Sequence, residues 1–311
     1  MRIFVAGAAG AVGRPLLRVL RDRGHDVAGT TRTEEKTGLV RELGAEPVVC
    51  DARDAVAVRD AIARWQPEVI VNQLTALSAP FNPLRYSRWL EPTNRLRAEG
   101  PRNLAEAAAV VGTRLLVSQS TAFAYRWDGS ALRTEDDPLF DPDLGFGPAV
   151  AALRELEQRT LNTPGLDGVV LRYGYLYGPG TSYASDGDIA QLVHRRRFLV
   201  VGGGTGQFSF IHVDDAASAT PTAIERGKPG TFNVVDDEPS EMRAWLPYYA
   251  DVLRASPPRR VPLWLARLAT ARFVAEAPVR QRGASNARIK RELEWAPRWP
   301  SWRQGFNEAL G

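Results

Sequence analysis

Short apolar runs alternate with segments of helical periodicity through the first half of the chain. Strands are predicted at Ile3 to Ala6, Asp26 to Thr30, Pro47 to Cys50, Val69 to Asn72, Leu115 to Ser118 and Gly168 to Arg172. Helices are predicted at Pro15 to Arg23, Lys36 to Leu43, Asp54 to Trp65, Thr93 to Val110 and Ala149 to Leu161. This alternation implies an α/β fold, a doubly wound parallel sheet of the Rossmann type with helices on its faces. Ligands of such sheets bind beyond the carboxyl ends of the strands, so the residues that follow each strand carry the information.

The first of these junctions is the most informative. Ile3 to Ala6 breaks at Gly7, glycines recur at Gly10 and Gly13 around Ala11 and Val12, and a leucine-rich segment follows from Pro15. Glycines let the backbone approach a ligand, and a helix N-terminus carries unpaired N–H groups and partial positive charge, a combination that suits a pyrophosphate. Pro15 fits the first helical turn and Gly24 its end. After the second strand stands Thr30-Thr31-Arg32-Thr33, with no acid to bind the adenosine ribose hydroxyls. Arg32 can pair with a 2′-phosphate through a planar fork and the threonines can add hydrogen bonds, which favours NADP over NAD. Arg14 either assists or is an exposed helix-start arginine. Asp51 and Ala52 follow the third strand, where Asp51 either bonds the adenine amino group or caps the next helix. Gln73, Leu74 and Thr75 form a loop placed to pass the cofactor, and Asn94 is a candidate to tie backbone groups together behind it.

The second half is less regular. Gly178-Pro179-Gly180, the glycine run from Gly202 to Gly206, and Pro257-Pro258 are breaks. Strands are predicted at Phe208 to Val213 and Gly230 to Val235, and helices at Asp214 to Arg226, Met242 to Arg254 and Pro262 to Phe273. Trp245, Trp264, Trp295, Trp299 and Trp302 lie here, read as packing area for a small domain or an interface.

Composition narrows the class. The chain has 311 residues, 44% of them hydrophobic, enough for a nucleotide-binding domain and a smaller appended part. No stretch resembles a signal peptide or a membrane-crossing helix, and the one cysteine, Cys50, precludes an internal disulfide framework, so a cytoplasmic protein is expected. The net charge is +4, but lysine occurs only at Lys36, Lys228 and Lys290, and the many arginines are interspersed with acids. Only His194-Arg195-Arg196-Arg197 is dense, either a solvated helix end or a contact for an anion. Neither nucleic-acid binding nor membrane association is expected, and no metal site is suggested.

These motifs together resemble the extended short-chain dehydrogenase/reductases, in the NAD-dependent epimerase/dehydratase group. The resemblance runs nearly end to end. It rests on Gly7 to Gly13, Asp51, Asn94 with Asn103 to Ala108, Ser118-Gln119-Ser120-Thr121 leading to Tyr125, and Leu171 to Gly180. Phe210 to Ala216, Phe232-Asn233-Val234, and Lys290 to Trp295 with Pro297 complete it. It implies residues 1–178 as an NADP-binding Rossmann domain to which 208–236 returns, with 179–207 and 237–311 binding a small-molecule substrate. A homodimer through the helices beginning at Thr93 and Ala149 is a further family expectation.

The family also implies a Ser or Thr, a Tyr and a Lys acting on a carbinol or carbonyl, the ammonium lowering the phenol's pKa. Thr121 stands at the Ser/Thr position. The family's interval then reaches Phe146, and Val150 stands where Lys belongs; no tyrosine in the chain has a lysine four residues later. Replacement proton donors are sought among Tyr125, Tyr173, Tyr175 and Tyr177, with Asp186 or Asp188. Thr121, Tyr125 and Tyr175 are taken as catalytic candidates, and Tyr173 as a cofactor contact. Phe146, Tyr183 and Phe208 are taken as substrate lining, and Gln191 and Trp245 as further lining. His212 is read as structural. Three functions follow: an NADP-dependent oxidoreductase or epimerase-like enzyme acting on a carbonyl or hydroxyl group, with Thr121 and water able to serve a reductase; a lyase, isomerase or cyclase without net redox; and an inactive NADP(H) sensor.

Overall fold

A computed structural model describes residues 1–77, 79–140 and 146–310. Its centre is a seven-stranded sheet, all of whose pairings are parallel: β1 (Arg2–Ala6), β2 (Asp26–Thr31), β3 (Glu46–Val49), β4 (Val69–Asn72), β5 (Leu115–Thr121), β6 (Asp167–Tyr173) and β7 (Gly230–Val234). The order across it is β3-β2-β1-β4-β5-β6-β7, so the direction in which successive strands are added reverses between β1 and β4 and leaves a crevice above them. The helices are α1 (Gly13–Asp22), α2 (Thr37–Glu42), α3 (Ala55–Trp65), α4 (Tyr86–Val111), α5 (Gly147–Asn162) and α6 (Asp188–His194). They continue as α7 (Val213–Arg226), α8 (Met242–Val252), α9 (Leu263–Ala269), α10 (Arg272–Arg280), α11 (Ala287–Leu293) and α12 (Trp302–Leu310).

The alternation of a strand's side chains divides the core. Ile3 and Val5 of β1 pack with Leu16, Leu17 and Leu20 of α1 and Ala216 and Ile224 of α7. Phe4 and Ala6 face the other way, toward Val58 and Ile62 of α3 and Leu104 and Ala108 of α4. Each Val, Leu, Ile or Phe among these, taken fully out of water, contributes roughly 1.5–3 kcal/mol against chain entropy, and each alanine less.

Local rules mislead at two helices. Pro92 argues for a helix beginning at Thr93, yet α4 starts at Tyr86 and carries both Pro92 and Pro101 inside it. The buried stripe through Leu90, Leu96, Pro101 and Leu104 outweighs two missing backbone donors. The apolar segment from Pro262 is not one helix either: it breaks at Thr270 into α9 and α10.

The carboxyl-terminal elements build a second core around Trp245 and Trp302, both fully buried, with Tyr177, Phe210, Tyr249 and Phe306. Short pairings tie it to the sheet domain. Phe210–His212 runs parallel to Tyr175–Tyr177, and Gly283–Ala284 runs parallel to Leu132–Arg133. Gln207–Phe208 turns instead to pair antiparallel with Ser240–Glu241, so the apolar run from Phe208 to Val213 serves two partners rather than one. No helix among the described residues is long and apolar enough to cross a membrane.

Candidate functional site

Above the carboxyl ends of β1, β2, β4, β5 and β6 lies a cleft of about 970 Å³, continuous from the glycine turn to the carboxyl-terminal helices. At its floor Gly7 has φ +89°, and a Cβ there would stand 2.6 Å from the Gln73 carbonyl oxygen. Gly13 is equally constrained, its Cβ falling 2.3 Å from the Gly7 carbonyl oxygen where α1 starts against the turn. At Gly10 a Cβ would meet only the Gly7 oxygen, at 3.2 Å; the residue lines the cleft with Ala11 and Val12, and a side chain here would intrude on that space. No side chain caps the N-terminus of α1; Arg14 N and Leu16 N bond the Gly10 and Val12 carbonyls, and the N–H groups of Ala11, Val12 and Gly13, without partners among the described residues, are left for an anion. Arg14 reaches across the cleft to Gly180, whose Cβ would lie 3.0 Å from Arg14 Nη2.

The end of β2 is partly committed to the protein itself. Thr30 Oγ1 accepts from Gly7 N at 3.1 Å, and Thr31 Oγ1 donates to the Thr33 carbonyl at 3.2 Å. Arg32 lines the cleft, exposed, as does Lys36, with Glu35 between them. Asp51 accepts from Arg53 N at 3.0 Å and takes the Arg53 side chain at 2.7 and 3.2 Å. The Arg53 hydrogen bond holds its carboxyl below the usual range. The helix cap is Asp54, accepting from Val56 N and Ala57 N at 2.9 and 3.1 Å. Ala52 lines the cleft and its carbonyl is held by Asn103 Nδ2 at 2.9 Å. Cys50 lines the same end, its thiol pushed up to about 11 by burial.

Asn94 corrects the sequence reading. It does not line the cleft, and its Oδ1 has no partner among the described residues. The stitching expected of it is done by Thr93, whose Oγ1 accepts from Ala76 N at 3.2 Å, and by Asn103. Leu74 and Thr75 line the cleft beside Gln73, which donates from Nε2 to Tyr173 Oη at 3.0 Å and leaves its Oε1 unpaired.

At the end of β5, Thr121 is buried and lines the cleft with its Oγ1 unpartnered. Tyr125, the second catalytic candidate, lies elsewhere. It is 1% exposed, donates to Asn233 Oδ1 at 2.7 Å and accepts from Arg172 Nη1 at 2.8 Å, within a network that ties β6 and β7 together. Burial outweighs the nearby guanidinium and pushes its phenol up to about 12, so it is a structural link and not a proton donor to the cleft. Tyr177 is fully buried in the second core, outside the cleft. Asp186 is absent from the cleft wall, and Asp188 accepts from Phe81 N at 2.9 Å, fastening a loop to α6.

Of the tyrosines sought as replacement donors, Tyr173 and Tyr175 do reach the cleft, and both are bound and hard to ionise. Tyr173 is bonded to Gln73 and lies 3.3 Å from Thr220 Oγ1; Tyr175 donates to Gln281 Oε1 at 2.8 Å and stacks on Phe123 at 4.6 Å. Burial raises both phenols, Tyr175 well above its ordinary value, and no ammonium stands near to reverse this. Phe146 heads α5 and stacks on Phe273 at 4.1 Å, with Tyr86 stacked on both at 6.2 and 5.7 Å. Val150 is completely buried. With Trp89, Phe123, Tyr183 and Phe208 these rings make the far half of the cleft an aromatic chamber. Gln191 and Trp245 lie outside it.

His212 accepts from Asp214 N at 3.2 Å and packs on Trp299 at 3.9 Å, a structural placement. Arg97 and Phe273 line the chamber and were not singled out from the sequence. For Arg97 a signal exists: Thr93, Arg97, Gly100 and Leu104 fall on one helical stripe that is otherwise small or apolar.

A profile of the NAD dependent epimerase/dehydratase family matches residues 3–235. The chain is 43% identical over 310 residues to a 3-diazoavenalumate denitrifying reductase from a Streptomyces species, covering 98% of this chain and 99% of that one. In structure it is similar to the UDP-glucose 4-epimerase of Thermotoga maritima solved with UDP-glucose, with a TM-score of 0.79 and 19% identity over 99% of this chain and 97% of that one. It is also similar to the human epimerase family protein SDR39U1 solved with NADPH, with a TM-score of 0.77 and 20% identity over 99% of both chains.

Proposed function

Since the chain belongs to the NAD dependent epimerase/dehydratase family and is an enzyme of that oxidoreductase and epimerase type, we propose that it is an NADP-dependent reductase of a small aromatic molecule whose reacting group takes hydride without a proton from the enzyme. One observation carries this: at the positions where the resemblance expects a Tyr and a Lys stand Phe146, which lines the chamber, and Val150, which is buried behind it, and burial raises the phenols of Tyr86, Tyr173, Tyr175 and Tyr183, the tyrosines that line the cleft.

The residues at the other end fit a dinucleotide. Gly10, Ala11 and Val12 with the uncapped start of α1 would take the pyrophosphate, Arg14 and Arg32 the phosphates, and Asp51, Ala52, Leu74 and Thr75 the flanks of the cofactor. A reduced nicotinamide held there would supply hydride, and an aryl diazonium accepting it would exchange its C–N bond for C–H as N₂ leaves with the bonding pair, with no oxygen to protonate. The name of the 43% identical relative gives a diazo compound and a denitrifying reduction, which supports this reading. The chain's own residues would hold the ring against the packed face of Phe146, Tyr86 and Phe273, exclude water from it, and place Thr121 at the strand end.

That unpartnered hydroxyl favours a second reading, reduction of a carbonyl with Thr121 and an ordered water serving the oxygen. The proposal includes a cytoplasmic enzyme, with residues 179–207 and 237–311 shaping the substrate chamber and a homodimer through the outer faces of α4 and α5.

The test uses NADPH deuterated on the nicotinamide ring with a carboxyl-bearing benzenediazonium and, in parallel, aryl ketones, each with an enzyme-free control. Enzyme-dependent N₂ release with deuterium on the ring carbon is expected. Turnover of ketones alone selects the second reading. No cofactor oxidation with either overturns both.

A further inference from the structure

The charges of the cleft divide into two groups. Arg14, Arg32 and Lys36 stand at the dinucleotide end together with the acids Glu35 and Asp51. At the aromatic end the charged lining residues, among those described, are Arg97 and Arg197, with no carboxylate beside them. Arg197 is exposed at the rim, where a charge costs little. Arg97 is 8% exposed, on the inward stripe of α4, and has no hydrogen bond or ion pair with any described residue; the group that acts on its charge is the Tyr86 phenol.

A guanidinium carries five N–H donors in a planar fork, and burying it without an acceptor is unfavourable unless a ligand completes it. Burial pushes Arg97 down to about 10, so it remains cationic near neutral pH. Tyr86, its neighbour, belongs to the stack with Phe146 and Phe273 that lines the cleft, so the charge stands beside an aromatic wall against which a ring can lie. We propose that Arg97 is the anchor for the carboxylate of an aromatic acid, gripping it through the guanidinium fork while the ring lies against the Tyr86, Phe146 and Phe273 stack. This rests on the reading of the chamber as the substrate site and deepens it by naming the substrate class, an anionic aromatic molecule. Lysine would be a poorer occupant, because it lacks the fork that matches both carboxylate oxygens.

The experiment measures binding and not turnover, so it is read independently of the reaction assigned above. Protein saturated with NADP⁺ is titrated calorimetrically with benzoate and cinnamate and with their neutral amides. The acids are expected to bind about tenfold or more tightly than the amides. Arg97→Gln is expected to erase that preference and leave NADP⁺ affinity within about twofold, and Arg97→Lys to recover part of it. The wild-type comparison needs no variant to fold. Equal binding of acid and amide, or of neither, overturns the proposal. So does an Arg97→Gln protein that loses NADP⁺ while keeping the acid preference, since Arg97 then serves the cofactor.

Discussion

Replacing Arg32 with glutamine tests the proposed preference for NADP at the residue on which it rests. Arg32 follows β2, is exposed on the cleft, and has no acidic neighbour at the position where a carboxylate would bind ribose hydroxyls. A unit charge pair at 4 Å is worth about 1 kcal/mol in bulk water and about 4 kcal/mol at an effective dielectric of 20. An exposed arginine sits toward the lower value, and the charge of Asp51, which acts on Arg32, offsets part of the attraction. Charge-assisted hydrogen bonds of this kind contribute about 1.5–3 kcal/mol, which is roughly 10–150-fold in the dissociation constant. Nicotinamide fluorescence titrations of wild type and Arg32→Gln with NADPH and NADH give the comparison. NADPH affinity should fall by that factor, more steeply at low salt because the pair is screened over about 10 Å at 0.1 M. NADH affinity should hold within about threefold. A parallel loss of both dinucleotides, or a loss for NADPH of less than about threefold, refutes the argument and returns the 2′-phosphate to Lys36 or to solvent.

Thr121→Val should leave turnover of an aryl diazonium within about threefold while lowering ketone reduction by about a hundredfold, since only the ketone needs a donor at oxygen. Steady-state kcat with both substrates decides this. Glu157 takes Arg172 at 2.8 and 2.6 Å and accepts from Ser120 Oγ at 2.7 Å, all buried. Glu157→Ala strands the guanidinium and should cost about 3–5 kcal/mol, lowering Tm by roughly 5–8 °C in a chain of this size; scanning fluorimetry showing no shift would remove the network from the account. Asp236 has an unpartnered buried Oδ2, and burial raises its carboxyl well above the ordinary value. Its folded pKa lies above the unfolded one, so its contribution is full below the unfolded value and is lost as pH rises through the folded value. Asp236→Asn should therefore gain stability relative to wild type as pH rises, measured as the difference between two urea-denaturation series; a difference constant with pH contradicts the assignment.

Much of this protein is legible in one dimension because local chemistry decides it. The strand, glycine turn and helix at the start need only backbone sterics and helix-end electrostatics, and the side-chain alternation of β1 divides the core without help from distant residues. The proposed absence of the family's acid/base pair is likewise read in order along the chain, from the interval that leads from Thr121 to Phe146 and Val150. What replaces that pair is not. Tyr125 and Tyr175 are equivalent as letters, and only the packed molecule sends one to Arg172 and Asn233 and the other to the cleft wall. Asn94 and Asn103 lie on the same helix, and the register of α4 against Ala52 selects the second. Arg97 is one arginine among many until burial beside an aromatic stack removes every other partner. Backbone preferences act over a few residues and can be read in order along the chain, whereas desolvation and the supply of partners depend on which segments meet, and that is decided when the sheet and the carboxyl-terminal helices close on each other.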